Sequence, residues 1–486
     1  MRKLYLCFST LTLISFTGCK DLLVENPKTF ISSTNFYKTA GDFDAALQGI
    51  YVNLRNIVGT KEGKDVSEIF ADYSDRPESA EQTGDFWKNN PSSNFWSIRY
   101  AWQYPYEIVN NANLILDALT SVNLTADVKS KIEAEAKLLR AYAYFNLVQY
   151  FGDIPLRITP CRSLAETQTP KSPQADVYAL ILSDLTFAEA NLPESGSVVG
   201  RVNKYVAKAL LARVYLTTAG FPTNNKANYA LAKAKALEVI NSPKYALKTD
   251  YADVFHQTTY TTESIWEALF SPPTIGNYLV TITAPTGNNT ATLMPTADFI
   301  NSFPVGDRRK ELGIKDGYTN AKGNLWVKRT YYNKFVNPQF FEDELSPNVS
   351  GSSCGYTSPI IRLAEMYLIA AEAENEANGP ANAYQYINII RNRARINKAD
   401  PTNVPDLADL SKEQFGAAVR MERKWELHLE GSAWFDMKRT QTFNKVQEAR
   451  GASLVVPIGS YNNTWLIPDF EISNNNIDQN PSYGGN

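Results

Sequence analysis

Apolar residues recur every three or four positions through much of this chain, and the strongest example is Pro359–Ile396. Leu363, Met366, Tyr367, Ala370, Ala371 and Ala373 make one helical stripe, and its alanines let a second helix approach closely. Asn378-Gly379-Pro380 stops that helix, because Gly takes a left-handed cap and Pro cannot extend it. Ala383, Ile387, Ile390 and Ala394 then start a second stripe, with Arg391, Arg393 and Arg395 in its last turns. Such a hairpin cannot bury its faces alone and needs neighbours.

The same pattern predicts helices at 40–57, 125–150, 175–192, 204–218, 229–240 and 411–430. A further stretch, Tyr100 to Leu119, looks helical again after Pro105. Taken in order they pair: one helix on each side of a polar loop, then 125–150 with 175–192, 204–218 with 229–240, and 361–377 with 382–396. The expected fold class is mainly α, with four tetratricopeptide-like hairpins of irregular period and long loop or short-strand insertions. Asn110, Asn111 and Asn113 fall inside the second helix, where their amides are expected to bond backbone.

Two stretches break the helical pattern. Residues 59–94 are polar and rich in Gly, Pro, Ser and Asn, and a loop of that length in a compact protein is functional or disordered. Residues 251–358 carry β-branched runs such as Leu279–Thr283 among frequent Gly, Pro and Asn, which fits irregular loops and a few short strands. Residues 22–34 show no period and read as an extended arm, and 464–486 read as an extended tail. The expected organisation is a leader over 1–18, a helical region over 19–245 containing the 59–94 loop, an irregular insertion over 251–358, and a helical C-terminal region over 359–486.

The chain has 486 residues and a formal charge of −3, with no long basic stripe, so no nucleic-acid partner is expected. Only His256 and His428 are present, which excludes a site of several histidines and disfavours triad chemistry. The aromatic share is high, at 12% with 27 Tyr and 8 Trp; some of these must line the core, and the excess is compatible with stacking surfaces for a ligand. No cofactor and no metal-ligand spacing is evident.

Arg2-Lys3, the apolar run Leu4–Phe16 and the small residues before Cys19 resemble the lipobox of a bacterial lipoprotein signal, with Phe16 where Leu is usual. That resemblance implies lipidation of Cys19, anchoring in the outer membrane, and, from Lys20-Asp21, a cell-surface orientation. Cys161 and Cys354 remain beyond it, either paired or as two free thiols.

Further motifs in order resemble the SusD/RagB family of nutrient-binding lipoproteins. They are Leu139–Leu147 running on to Phe151–Leu156, Arg201–Lys204 leading to Ala209–Leu216, Arg362–Glu365 with Ala371–Ala373, Asn388, Arg391, Arg393 and Ala394, Glu422–Gly431 with Trp434, Asp436, Lys438 and Arg439, and Pro468 with Gln479–Tyr483. The resemblance implies a non-catalytic surface protein that passes oligosaccharide to a TonB-dependent, SusC-like transporter. Capture of peptide or another nutrient is the alternative. It also implies that the helical hairpins face the transporter and the insertions carry the ligand.

Sugar rings are gripped by flat apolar faces and by planar polar groups that match hydroxyl pairs. Asp72, Tyr73, Asp75, Arg76, Trp87 and Trp96 from the polar loop, with Tyr278 and Trp326 from the insertion, are the candidate ligand residues. The same aromatics are equally suited to anchoring their loops. Arg140, Arg213, Arg362, Glu365, Glu372 and Glu422 are expected in partly buried ion pairs that hold the hairpins in register.

Overall fold

The computed structural model describes residues 36–58, 64–76, 84–163, 166–255, 257–271, 276–277, 293–319, 325–335 and 355–481. The leader with Cys19, the arm over 22–34, Leu279–Thr283, Tyr278 and Cys354 lie outside them. Trp326 is described only as a backbone position.

Helix α1 (Ala40–Val58) buries Phe43, Leu47, Ile50, Leu54 and Val58, the inward face of a regular amphipathic helix. Next come α2 (Lys64–Ile69), the two-residue strand β1 (Ser74–Asp75) and the single turn α3 (Gly84–Trp87). The described part of the expected polar loop is thus ordered, because Phe70, Tyr73 and Phe86 anchor it in the core. Helix α4 (Trp96–Leu119) begins four residues before the expected stretch and carries the buried Pro105 inside it. Helix α5 (Ala126–Phe151) is buried on nearly every side over its second half, and Gly152 ends it at φ 75°, a conformation that favours glycine.

Strand β2 (Ile154–Pro155) pairs antiparallel with β3 (Lys171–Ser172). Helices α6 (Gln174–Asn191), α7 (Lys204–Ala219) and α8 (Asn228–Ile240) follow. Asn203 caps α7 by accepting from the backbone N–H groups of Tyr205 and Val206. The helices stack in sequence: α1 on α4, α4 on α5, α5 on α6, α6 on α7 and α7 on α8.

The insertion contributes β4 (Ser264–Ala268), β5 (Met294–Pro295), α9 (Ala297–Ser302), α10 (Arg308–Gly313) and the antiparallel pair β6 (Ile314–Thr319) and β7 (Leu325–Tyr332). Strand β8 (Ser358–Arg362) returns to pair with β4, and both strands are buried throughout. The chain then re-enters the stack. Helix α11 (Leu363–Asn378) packs on α8, turns at Gly379-Pro380, and packs on α12 (Tyr384–Ala394) as the hairpin pattern predicts. Helix α13 (Lys412–Leu427) starts in a capping box built by Ser411 and Gln414. Ala364, Leu368, Ile387, Ile390, Phe415 and Val419 form a compact second core between these three helices.

Three short helices complete the chain: α14 (Ala433–Thr440), α15 (Asn444–Arg450) and α16 (Asp469–Asn475). The last corrects the expected extended tail. Pro468 and the first-turn acids Asp469 and Glu471 favour a helix start there. Among the described residues no helix is long and apolar enough to cross a membrane.

Candidate ligand-binding corner

The polar loop folds into a corner whose post is Arg450. Its guanidinium donates to the carbonyls of Trp87 at 2.8 Å, Ile69 at 2.6 Å and Ala71 at 2.8 Å. It thereby ties α2, the approach to β1 and α3 to the end of α15. Arg450 is 7% exposed, and burial pulls its pKa down to about 9, with Asp75 and Asp72 opposing that shift. The sequence gives no local sign of this role, because the segments it joins lie more than 360 residues away.

Trp87 is half-buried, with two cations close to its ring. The Arg450 guanidinium lies 4.9 Å from its ring centroid and that of Arg76 lies 5.7 Å away. The Trp87 indole N–H has no hydrogen-bond partner among the described residues. Asp75 accepts from the backbone N–H of Arg76 at 2.8 Å. Asp72 pairs with Lys424 of α13 through one oxygen, while its other oxygen is buried without a partner among the described residues. These four predicted residues, Asp72, Asp75, Arg76 and Trp87, belong to one corner.

The others are placed differently. Tyr73 is 4% exposed, stacks on Phe299 at 4.9 Å and donates its hydroxyl to Glu68, so it packs inward and offers no face to a ligand. The reason is strand geometry. Antiparallel pairing of Ser74-Asp75 with Met294-Pro295, and the Tyr332 hydroxyl bonded to the Tyr73 carbonyl at 3.0 Å, turn that ring into the core. Trp96 opens α4 half-buried and joins the corner through rings: it lies 5.3 Å from Phe95, which lies 5.8 Å from Phe86. Tyr278 and the Trp326 side chain fall outside the described residues.

Asn89 fixes the far side of the corner. Its amide donates to the Val456 carbonyl at 2.8 Å and to the Tyr461 hydroxyl at 2.7 Å, and its oxygen accepts from Asn462 at 2.6 Å. The Val455 N–H donates to the Lys88 carbonyl at 2.8 Å. The loop is therefore held in place before any ligand arrives, which lowers the ordering cost of binding.

The arginines and acids expected as scaffold are ion-paired. Arg140 forms a two-pronged pair with Asp184 and also donates to Asn113 at 2.7 Å. Asn113 in turn donates to the Arg157 and Thr159 carbonyls, so this helix amide serves backbone as expected. Arg213 meets Glu365, and Arg439 meets Glu372. Glu422 accepts from Arg309 and Arg391, each at 2.6 Å. Arg362 reaches Glu263, Glu426 and Glu430. Burial alone would raise the Glu426 carboxyl, but Arg393, Arg362 and Arg309 outweigh it and hold that group well below the usual carboxylate range. Among the described residues, no group of three or more His, Cys, Asp or Glu is arranged to hold a metal ion.

Comparison with known proteins follows the same architecture. A family model described as "SusD family" matches residues 309–483, and one described as "Starch-binding associating with outer membrane" matches residues 25–216. A SusD-like protein of Formosa agariphila is 27% identical over 488 residues, covering 88% of each chain. The starch-binding protein SusD of Bacteroides thetaiotaomicron is 24% identical, covering 80% of this chain and 79% of that one. The crystal structure of a SusD superfamily protein from Parabacteroides distasonis superposes with a TM-score of 0.80 at 26% identity, over 93% of this chain and 100% of that chain.

Proposed function

We propose that this chain, which belongs to the SusD-like family, is a non-catalytic, lipid-anchored binder of oligosaccharide at the outer cell surface. It delivers its cargo to a partner SusC-like, TonB-dependent transporter. The single observation that carries the binding half is the Trp87 corner: a half-buried indole with the Arg76 and Arg450 guanidinium groups close to its ring, next to Asp75, on a pinned loop. An indole face stacks on the C–H side of a sugar ring, and planar polar groups such as those of Asp75 and Arg76 suit neighbouring hydroxyls.

The non-catalytic half rests on the state of the acids. Glu426 and Glu430 are each engaged by guanidinium groups that hold their carboxyls well below the usual range, which favours the ionised form and removes them as proton donors. Starch binding and association with the outer membrane, as the matching family is described, favour the same reading.

Isothermal calorimetry of the wild type and Trp87→Ala against soluble starch, laminarin and a peptide pool tests the binding half. Loss of a central tryptophan is expected to weaken the bound glycan by about 2 kcal/mol, roughly thirtyfold in Kd. Unchanged affinity with unchanged circular dichroism overturns the assignment of the corner, and binding confined to the peptide pool overturns the glycan. Cross-linking of the tagged chain in native outer membranes is expected to recover a TonB-dependent barrel, and recovery of none contradicts the transporter half.

A further inference from the structure

A second concavity lies away from the Trp87 corner, and no corner residue lines it. It is a groove of about 610 Å³ between the middle of α4, the exit from α5 and the short helix α16. That volume lies within the range of about 300–1,000 Å³ common to small-molecule sites.

One wall is the face of α4 that carries Gln103, Glu107, Asn110 and Asn111, spaced by one and two helical turns. Gln103 donates to Glu107 at 2.8 Å, and Asn110 accepts from the Cys161 backbone N–H at 2.8 Å, so these two amides are committed to structure. Asn111 is not: its side chain lines the groove without a partner among the described residues. The opposite wall is α16, where Phe470 and Asn474 stand one turn apart. The Asn474 amide likewise has no partner among the described residues, nor has that of Asn53 at the groove's edge.

The rest of the groove is rigid. The Trp102 indole donates to the Glu471 carboxyl, and Tyr106 donates to the Pro155 carbonyl at 2.7 Å. Asn475 accepts from the Thr169 N–H at 2.8 Å, and Asn480 donates to the carbonyls of Phe151 and Trp465, which fixes α16 against the body.

The charges in the groove are largely spoken for. Arg157 turns its guanidinium to the carbonyls of Glu166 and Thr167, and burial raises the Glu471 carboxyl. What lines the opening is the half-buried Phe470 ring, with the Arg99 guanidinium over it at 5.2 Å, and three uncommitted planar amides. Each amide offers both donors and an acceptor, the complement of a polyhydroxylated ring with no net charge. We infer that the groove between α4 and α16 is a second binding site, and that it takes a short neutral oligosaccharide. This site stands independently of the Trp87 corner.

Cys161 lines the groove and reports on it. In a chain expressed from residue 19 with Cys19→Ser and Cys354→Ser, Cys161 is the one thiol left. Its rate of alkylation by N-ethylmaleimide is measured against increasing maltotriose, laminaritriose and cellotriose. At least one trisaccharide is expected to slow the reaction saturably, by about tenfold at roughly ten times its Kd. The protection is expected to persist in Trp87→Ala and to be lost in Phe470→Ala/Asn111→Ala, with Asn474→Ala as the milder variant should the double one fail to fold. Absence of protection by all three sugars, protection that survives the groove variants, or protection lost in Trp87→Ala each overturns the inference. Persistence of protection alongside unchanged calorimetry in Trp87→Ala would instead overturn the corner alone.

Discussion

Replacing Glu426 with Gln removes the negative centre around which three buried arginines are arranged. Glu426 is 0% exposed and accepts from Arg362 at 2.5 Å, from Arg309 at 3.2 Å, and from Arg393. Glutamine keeps the shape but turns an uncharged amide, itself partly a donor, toward those guanidinium groups. Glu263, Glu422 and Glu430 stay in place, so the loss is one charge in a cluster. Breaking a buried pair by removing one partner costs about 3–5 kcal/mol, or roughly two to four powers of ten in the folding equilibrium. The pH dependence follows from the depressed carboxyl. Its folded pKa lies below its unfolded one, so its contribution is fully present above the ordinary glutamate value of 4.5 and is lost as pH falls toward the folded value. Denaturant unfolding followed by tryptophan fluorescence, at pH 7 and at pH 3, measures both effects. The variant is expected to lose stability at pH 7, with the gap to wild type narrowing at pH 3. An unchanged midpoint at pH 7, or a gap as wide at pH 3 as at pH 7, refutes the reasoning.

Two other buried groups give sharp expectations. Lys438 is 5% exposed, donates to the Gln149 carbonyl and sits over Trp434, and burial pulls its pKa down to about 7. The unfolded chain therefore binds more protons between about pH 7 and pH 10.5, so stability rises with pH across that window. Lys438→Met is expected to flatten the rise, and an unchanged slope in thermal unfolding from pH 7 to pH 10 contradicts this. Asn480→Ala leaves the carbonyls of Phe151 and Trp465 without their shared donor, at a cost of about 1–3 kcal/mol. Limited proteolysis is expected to cut the 465–481 segment earlier in this variant than in wild type, and equal rates contradict the clasp.

Helical pairing was legible because it rests on period alone. Residues 125–150 with 175–192, 204–218 with 229–240, and 361–377 with 382–396 all fall close to observed helices. Pro105 misled the reading of α4, since a proline signals a helix start in isolation, whereas packing of Trp102, Ile108 and Val109 carries this helix through it. The tail misled through composition. It is rich in Asn and bracketed by Pro, yet Pro468 followed by Asp469 and Glu471 is a helix-start signal, and α16 forms there. The scaffold acids and arginines were legible as types, but partners such as Asp184, Glu263 and Arg309 were not, because each pair joins residues far apart in sequence.

The corner was legible in the same partial way. Asp72, Asp75, Arg76 and Trp87 share a loop, so their clustering follows from chain proximity. The inward turn of Tyr73 depends on a strand pairing with residues more than 200 positions later, which local sequence does not encode. Arg450 needed the fold, because only there does the end of α15 meet the polar loop. Asn111 and Asn474 likewise acquire a shared role only when α16 docks beside α4.

Hydroxyl-radical footprinting with a bound glucan, read by mass spectrometry at single aromatic residues, tests the placement of the cargo most directly. Oxidation of Trp87 is expected to fall on addition of glycan, while Tyr73, already packed against Phe299, is expected to stay at its low unliganded level. Undiminished oxidation of Trp87 at saturating glycan would contradict capture at this corner.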